Sequence, residues 1–150
     1  MKLKASLVRG LLLKFISNLN FIMAKFTDVL LVEDDPITIM VCDRIMKMTL
    51  FADKVTSCEN GKIAIDYLAT VRENGPIPKI IFLDINMPVM NGWDFLEEFD
   101  KVKSGFQQLP RIYLLSSTVD PEDYKKAKKF SLVEDFISKP LSREALERIG

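Results

Sequence analysis

From position 28 to the last residues, short apolar runs alternate with longer segments whose apolar positions recur at helical spacing. VLLVE (29–33) predicts a buried strand. Segment 36–50 predicts a helix with Asp35 at the N-cap and Pro36 at the first helical position, where a missing N–H is tolerated. KVTSC (54–58) predicts a second strand, and GKIAIDYLATVREN (61–74) a helix with Ala64, Tyr67, Leu68 and Val71 on its inner face. GPIP (75–78) forces a turn before KIIFLD (79–84), the most hydrophobic strand. A loop through Asn91 then leads to a helix over 92–103. RIYLLS (111–116), DPEDYKKAKKFS (120–131), DFIS (135–138) and LSREALERI (141–149) predict strand, helix, strand and a short last helix.

Strands that alternate with helices predict a parallel sheet, because each parallel crossover carries a helix and right-handed crossovers place helices on both faces. The expected fold is a doubly wound α/β sandwich of five strands, with its functional crevice beyond the carboxyl ends of the strands. No internal repeat or low-complexity linker divides the chain, and only Gly150 follows the last helix. One domain is expected over 25–150.

Composition narrows the function. The 150 residues are 48% apolar and 28% charged, as in a globular protein able to bury one core. Net charge is zero, but residues 1–25 carry five basic groups and no acid, which leaves the rest at −5. An acidic body argues against DNA as a partner. The cluster KKAKK (125–129) sits at helical spacing and predicts a solvated face. Cys42 and Cys58 lack the spacing of a metal or redox pair and read as packed, reduced thiols, which fits a cytoplasmic protein. With no histidine, His-based triads, His-ligated zinc and phosphohistidine on this chain are excluded.

The first 24 residues combine a basic start with apolar stretches too short and interrupted for a spanning helix. Two readings stand. The segment is an appendage ahead of a domain that Met23 itself can open, or a basic amphipathic helix that lies on a membrane or a partner. The appendage is preferred, and membrane contact is the lesser alternative.

The chemistry gathers at the strand ends. Glu33 and Asp34 end the first strand, Asp84 the third, Ser116, Ser117 and Thr118 the fourth, and Lys139 the fifth. Three carboxylates in one pocket raise each other's pKa unless a cation sits among them. Mg²⁺ suits, as a hard ion held by carboxylates and phosphate oxygens, and Lys139 completes the charge balance. A carboxylate so placed can act as a nucleophile toward phosphorus. Asp84 is the best candidate because it ends the most buried strand, with Ser116 and Lys139 available for charge neutralisation. Asp35 reads as a cap, and Trp93 and Cys42 as packing.

LLVEDD, FLDINMPVMNG, LLSS and FISKP, in this order and with 50 residues from Asp34 to Asp84 and 55 from Asp84 to Lys139, resemble the bacterial response-regulator receiver domain. These are the CheY-like modules of two-component signalling, and the likeness covers about residues 25–149. It implies a flavodoxin-like strand order 2-1-3-4-5. It also implies Asp84 as phosphoacceptor and Mg²⁺ held by Asp34, Asp84 and the backbone carbonyl of Asn86, with Glu33 reaching the ion mainly through water. Lys139 then pairs with the phosphoryl oxygens, and Ser116 hydrogen-bonds them and draws in its loop. Phe136 takes the aromatic switch position and, lacking a hydroxyl, works by packing alone. Asn86 and Thr118 occupy positions that tune phosphoryl lifetime. Met87, Pro88 and Gly92 read as structural, with Gly92 as a flexible start to its helix. Switching is expected to reshape the face made by segments 120–131, 135–138 and 141–149.

The expected function is that of a stand-alone receiver without output domain, catalysing only its own phosphorylation and dephosphorylation. It is expected to take phosphate from a sensor histidine kinase or a histidine phosphotransfer protein and to signal to an output partner. A phosphorylation-independent scaffold with the same fold is the first alternative. A haloacid-dehalogenase-like phosphatase is the second, disfavoured because Asn86 stands where such enzymes carry a second Asp.

Overall fold

A computed structural model describes residues 2–150. Five strands, β1 (Phe26–Val32), β2 (Ala52–Cys58), β3 (Ile80–Asp84), β4 (Arg111–Ser116) and β5 (Val133–Ser138), form one sheet in the order β2-β1-β3-β4-β5. All neighbours pair in parallel. Helix α1 (Lys2–Ile22) precedes the sheet, and α2 (Pro36–Met48), α3 (Gly61–Asn74), α4 (Gly92–Val102), α5 (Pro121–Ala127) and α6 (Arg143–Glu147) alternate with the strands.

Adjacent strand residues point to opposite faces, and the apolar runs therefore divide between two cores. Leu30, Val32, Ile81, Leu83, Ile112 and Leu114 face Ala64 and Leu68 of α3 and Phe95 and Phe99 of α4. Val29, Leu31, Ile80, Phe82, Tyr113 and Leu115 face Cys42 and Met46 of α2 and Ala145 and Leu146 of α6. Both sides of β1, β3 and β4 are thus dry, as their unbroken hydrophobic runs require. Cys42 and Cys58 are free and buried, and burial pushes both thiols up to about 11.

Several boundaries differ from the sequence expectation. β1 begins at Phe26 and β2 at Ala52, because Phe26 pairs with Ala52 and Asp28 with Lys54, so backbone pairing extends both strands through residues that are not apolar. Helix α5 ends at Ala127, four residues early. There Lys129 N and Phe130 N bond back three residues, to Lys126 O and Ala127 O, and the Phe130 ring stacks 6.5 Å from Trp93. α6 is shorter than segment 141–149: Ser142 caps it by accepting from Ala145 N, and Leu141 packs into the core instead. α4 continues as a 3-10 turn, Lys103–Gly105.

Segment 2–22, expected as an appendage or an amphipathic helix, is helical, and residues 4–17 are exposed throughout. Among the described residues, no helix is long and apolar enough to cross a membrane.

Candidate functional site

The strand order sets β1 and β3 side by side at the centre of the sheet, so the chain that leaves β1 emerges next to the end of β3. Glu33 is the first residue past β1, and its N–H donates to Cys58 O at 3.0 Å. Its side chain is only 1% exposed, because it turns inward while Asp34 and Asp35 face solvent. Asp84 closes β3 at 4% exposure. One carboxylate oxygen from each of Glu33, Asp34 and Asp84 lies within 4.8 Å of the others.

Lys139 completes the cluster from β5. Its N–H donates to Ser116 O at 2.9 Å, which continues the β4–β5 ladder one residue beyond Ser138. Its Nζ lies 2.6 Å from Glu33 Oε2 and 3.2 Å from Asp84 Oδ1. The contact with Oε2 is close ion pairing without good hydrogen-bond direction, so this buried oxygen keeps accepting capacity. Burial, reinforced by the neighbouring Asp84 charge, raises the Glu33 carboxyl above its ordinary value despite the pull of Lys139. Burial works against the Lys139 ammonium, but its close contact with Glu33 and the charges of Asp84 and Glu33 outweigh it and raise its pKa.

The first acidic run therefore divides its labour. Glu33 and Asp34 belong to the cluster, whereas Asp35 caps α2, its Oδ2 accepting from Thr38 N at 2.8 Å and Thr38 Oγ1 at 2.5 Å. The Asp35 N–H in turn donates to Glu33 Oε1 at 3.1 Å and holds that carboxylate inward.

Gly92, expected as a flexible start to its helix, is needed for a different reason. A Cβ on Gly92 would stand 2.5 Å from Asp84 O and 2.9 Å from Ile85 Cα, so glycine is needed for close approach to backbone and not for flexibility. Gly92 N donates to Ile85 O at 2.9 Å, and Met90 O accepts from Gly61 N at 3.0 Å, tying the loop to α4 and α3. Val89 holds φ at +68°, a conformation that branched side chains resist. Asn86 is exposed and its N–H donates to Asp84 Oδ1 at 3.2 Å.

Ser116, 4% exposed, ends β4 and donates its hydroxyl to Thr118 O, so Thr118 meets it through the backbone and its own side chain faces out. Phe136 is half-buried on β5. Its ring lies 4.7 Å from that of Tyr124 on α5 at 59°, and both line a cavity of about 340 Å³ with Ala127, Lys128, Phe130 and Val133. Tyr124 is a partner that sequence reasoning missed, since nothing in a lysine-rich helix marks it. The four lysines of KKAKK are exposed as expected, Lys125 pairing with Glu122 at 2.9 Å, and Lys126 also reaches 4.7 Å over the Trp93 ring.

Thus acids, hydroxyl and amine meet at one rim, while Phe136 faces α5. The site's oxygens suit a small hard cation: three carboxylates are close enough to share one with water, and Glu33 Oε2 is buried without a directed hydrogen bond.

The family model described as "Response regulator receiver domain" matches residues 29–149. Among curated proteins, the chain is 31% identical over 121 residues to the probable methanogenesis regulatory protein FilR2 of Methanothrix harundinacea, covering 80% of this chain and 76% of that one. It is 34% identical over 122 residues to the two-component response regulator ORR41 of Oryza sativa subsp. japonica, covering 81% and 90%. Among solved structures, a two-component response regulator from Cytophaga hutchinsonii superposes with a TM-score of 0.77 at 35% identity, covering 83% of this chain and 93% of that one.

Proposed function

The chain belongs to the response-regulator receiver family, and from that premise we propose that Asp84 accepts a phosphoryl group from a phosphohistidine on a kinase or phosphotransfer protein. The observation that carries this reading is the convergence of Glu33, Asp34, Asp84 and Lys139, from the ends of three strands, on one oxygen cluster in which the Glu33 and Asp84 carboxylates are buried. Burying two carboxylates side by side is costly, and functional sites are where such clusters concentrate.

In the proposed step an Asp84 carboxylate oxygen forms the new P–O bond as the P–N bond to the donor imidazole breaks. The electron pair returns to that imidazole nitrogen, which takes up a proton. Asp34, Asp84 and the Asn86 carbonyl, with Glu33 through water, would hold Mg²⁺, which when bound would neutralise charge on the phosphoryl oxygens. Lys139 gives up its contact with Asp84 and pairs with a phosphoryl oxygen. Ser116 exchanges its bond to Thr118 O for the phosphoryl group, which draws the loop after β4 inward. The phosphoryl group, at about −1.5 to −2, takes the place of the single carboxylate charge of Asp84, and this change acts on the Tyr124–Phe136 pair and the α5–β5–α6 face, where an output partner reads it. Asn86 and Thr118 flank the path of an attacking water and set the lifetime of the acyl phosphate.

Incubation of the purified chain with a small-molecule phosphodonor and Mg²⁺ should add one phosphate, released by base and by hydroxylamine. The label should vanish in Asp84→Ala and on chelation of Mg²⁺. Retention of label in Asp84→Ala defeats the assignment, and partner binding indifferent to phosphodonor favours a scaffold.

A further inference from the structure

Helix α1 presents a side-chain pattern that the phosphoacceptor site does not use. Leu7 is 66% exposed, and Leu11 and Phe15 are each 61% exposed. At about 100° per residue, Leu7, Val8, Leu11, Leu12, Phe15 and Ile16 form one stripe over half of the helix surface. Arg9 and Lys14 fall just outside its two edges, and Ser6, Gly10 and Ser17 occupy the opposite side, with Leu13 as the exception. Lys4 stands over one end of the stripe.

An apolar stripe of this length left in water needs a cover. What covers it is indicated by its edges. The chain has no acid before Asp28, so cations border the stripe without local counter-ions. Long basic side chains at the margins of an apolar face extend toward phosphates while their stems stay in the apolar layer. A bilayer with anionic headgroups supplies both surfaces in that geometry. The helix does not meet the requirement for crossing a bilayer, and the rest of the chain, at −5, is repelled by an anionic surface. Contact is therefore confined to this segment.

We infer that α1 is an interfacial helix that seats its Leu7–Leu11–Phe15 stripe in an anionic phospholipid surface, with Arg9 and Lys14 on the headgroup phosphates. The inference is independent of phosphoryl transfer.

Sedimentation of the full chain with vesicles tests it, using phosphatidylcholine alone and phosphatidylcholine mixed with phosphatidylglycerol. Binding to the mixed vesicles should be at least about tenfold tighter and should weaken as salt is raised. Leu11→Glu with Phe15→Glu should abolish it. Arg9→Gln with Lys14→Gln, which keeps the stripe and a good helix former at each site, should cost about tenfold on mixed vesicles only. Asp84→Ala should bind like the parent, which separates this result from that of the phosphorylation experiment. Failure to sediment with either vesicle, or equal binding to both, overturns the inference. So does a discrete homo-oligomer in light scattering that Leu11→Glu dissolves without any vesicle binding, which assigns the stripe to a second copy.

Discussion

Asp35 shows how one carboxylate can be separated from its neighbours by its local bonds. The Thr38 hydroxyl and N–H hold its carboxyl below the ordinary 3.8. A depressed folded pKa gives a contribution that is present above 3.8 and lost as pH falls through the folded value. Asp35→Asn keeps an acceptor for Thr38 N but does not titrate. Urea midpoints measured against pH should therefore favour the parent above pH 4 by a margin that shrinks in acid, and a constant margin would refute the cap's titration. This role was legible in the sequence because a cap depends on residues within one turn. The inward turn of Glu33 was not, since it depends on Asp35 N, on Cys58 O and on Lys139, contributed by distant segments. Nor was the positive φ of Val89, which runs against what a branched side chain favours.

Elements carry these residues to the rim, and their junctions are the sensitive points. α4 begins so close to the end of β3 that Gly92 admits no side chain, the obstacles being backbone atoms that cannot rotate away. Gly92→Ala should cost about 1–3 kcal/mol of stability, read by thermal or urea unfolding, and should slow phosphorylation of Asp84 by shifting its carbonyl. Full activity in a stable Gly92→Ala protein would contradict the contact. The strand cores and the helix α3 were legible because burial writes its period directly into the apolar positions. The ends were less so. β1 and β2 lengthen each other by pairing Phe26 with Ala52 and Asp28 with Lys54, and α5 stops where Phe130 turns to meet Trp93. Both depend on a partner element that periodicity does not encode.

At the scale of the molecule, the Lys139 ammonium ties the end of β5 to the ends of β1 and β3 through two buried carboxylates. Lys139→Ala leaves Glu33 and Asp84 facing each other without a counter-charge, which should destabilise the chelated protein by about 3 kcal/mol. Because a ligand bound only to the folded state adds about 2.7 kcal/mol at 100 times its Kd, Mg²⁺ should raise the melting temperature of both proteins. The increase should be greater in the variant, where the cation replaces a missing charge, and calorimetric scans with chelator and with Mg²⁺ check this. The doubly wound architecture was legible from alternation alone. The strand order came through family likeness, because nothing in the period of a strand names its neighbour. One local feature reports on all of this. The chain has a single tryptophan, Trp93, which shares its core with Ile85 and Met87, the apolar residues just beyond Asp84, and lies under the Lys126 ammonium. Its fluorescence is therefore a built-in optical gauge: emission should change when phosphodonor and Mg²⁺ are added and stay flat in Asp84→Ala, so that turnover can be followed in real time without a dye.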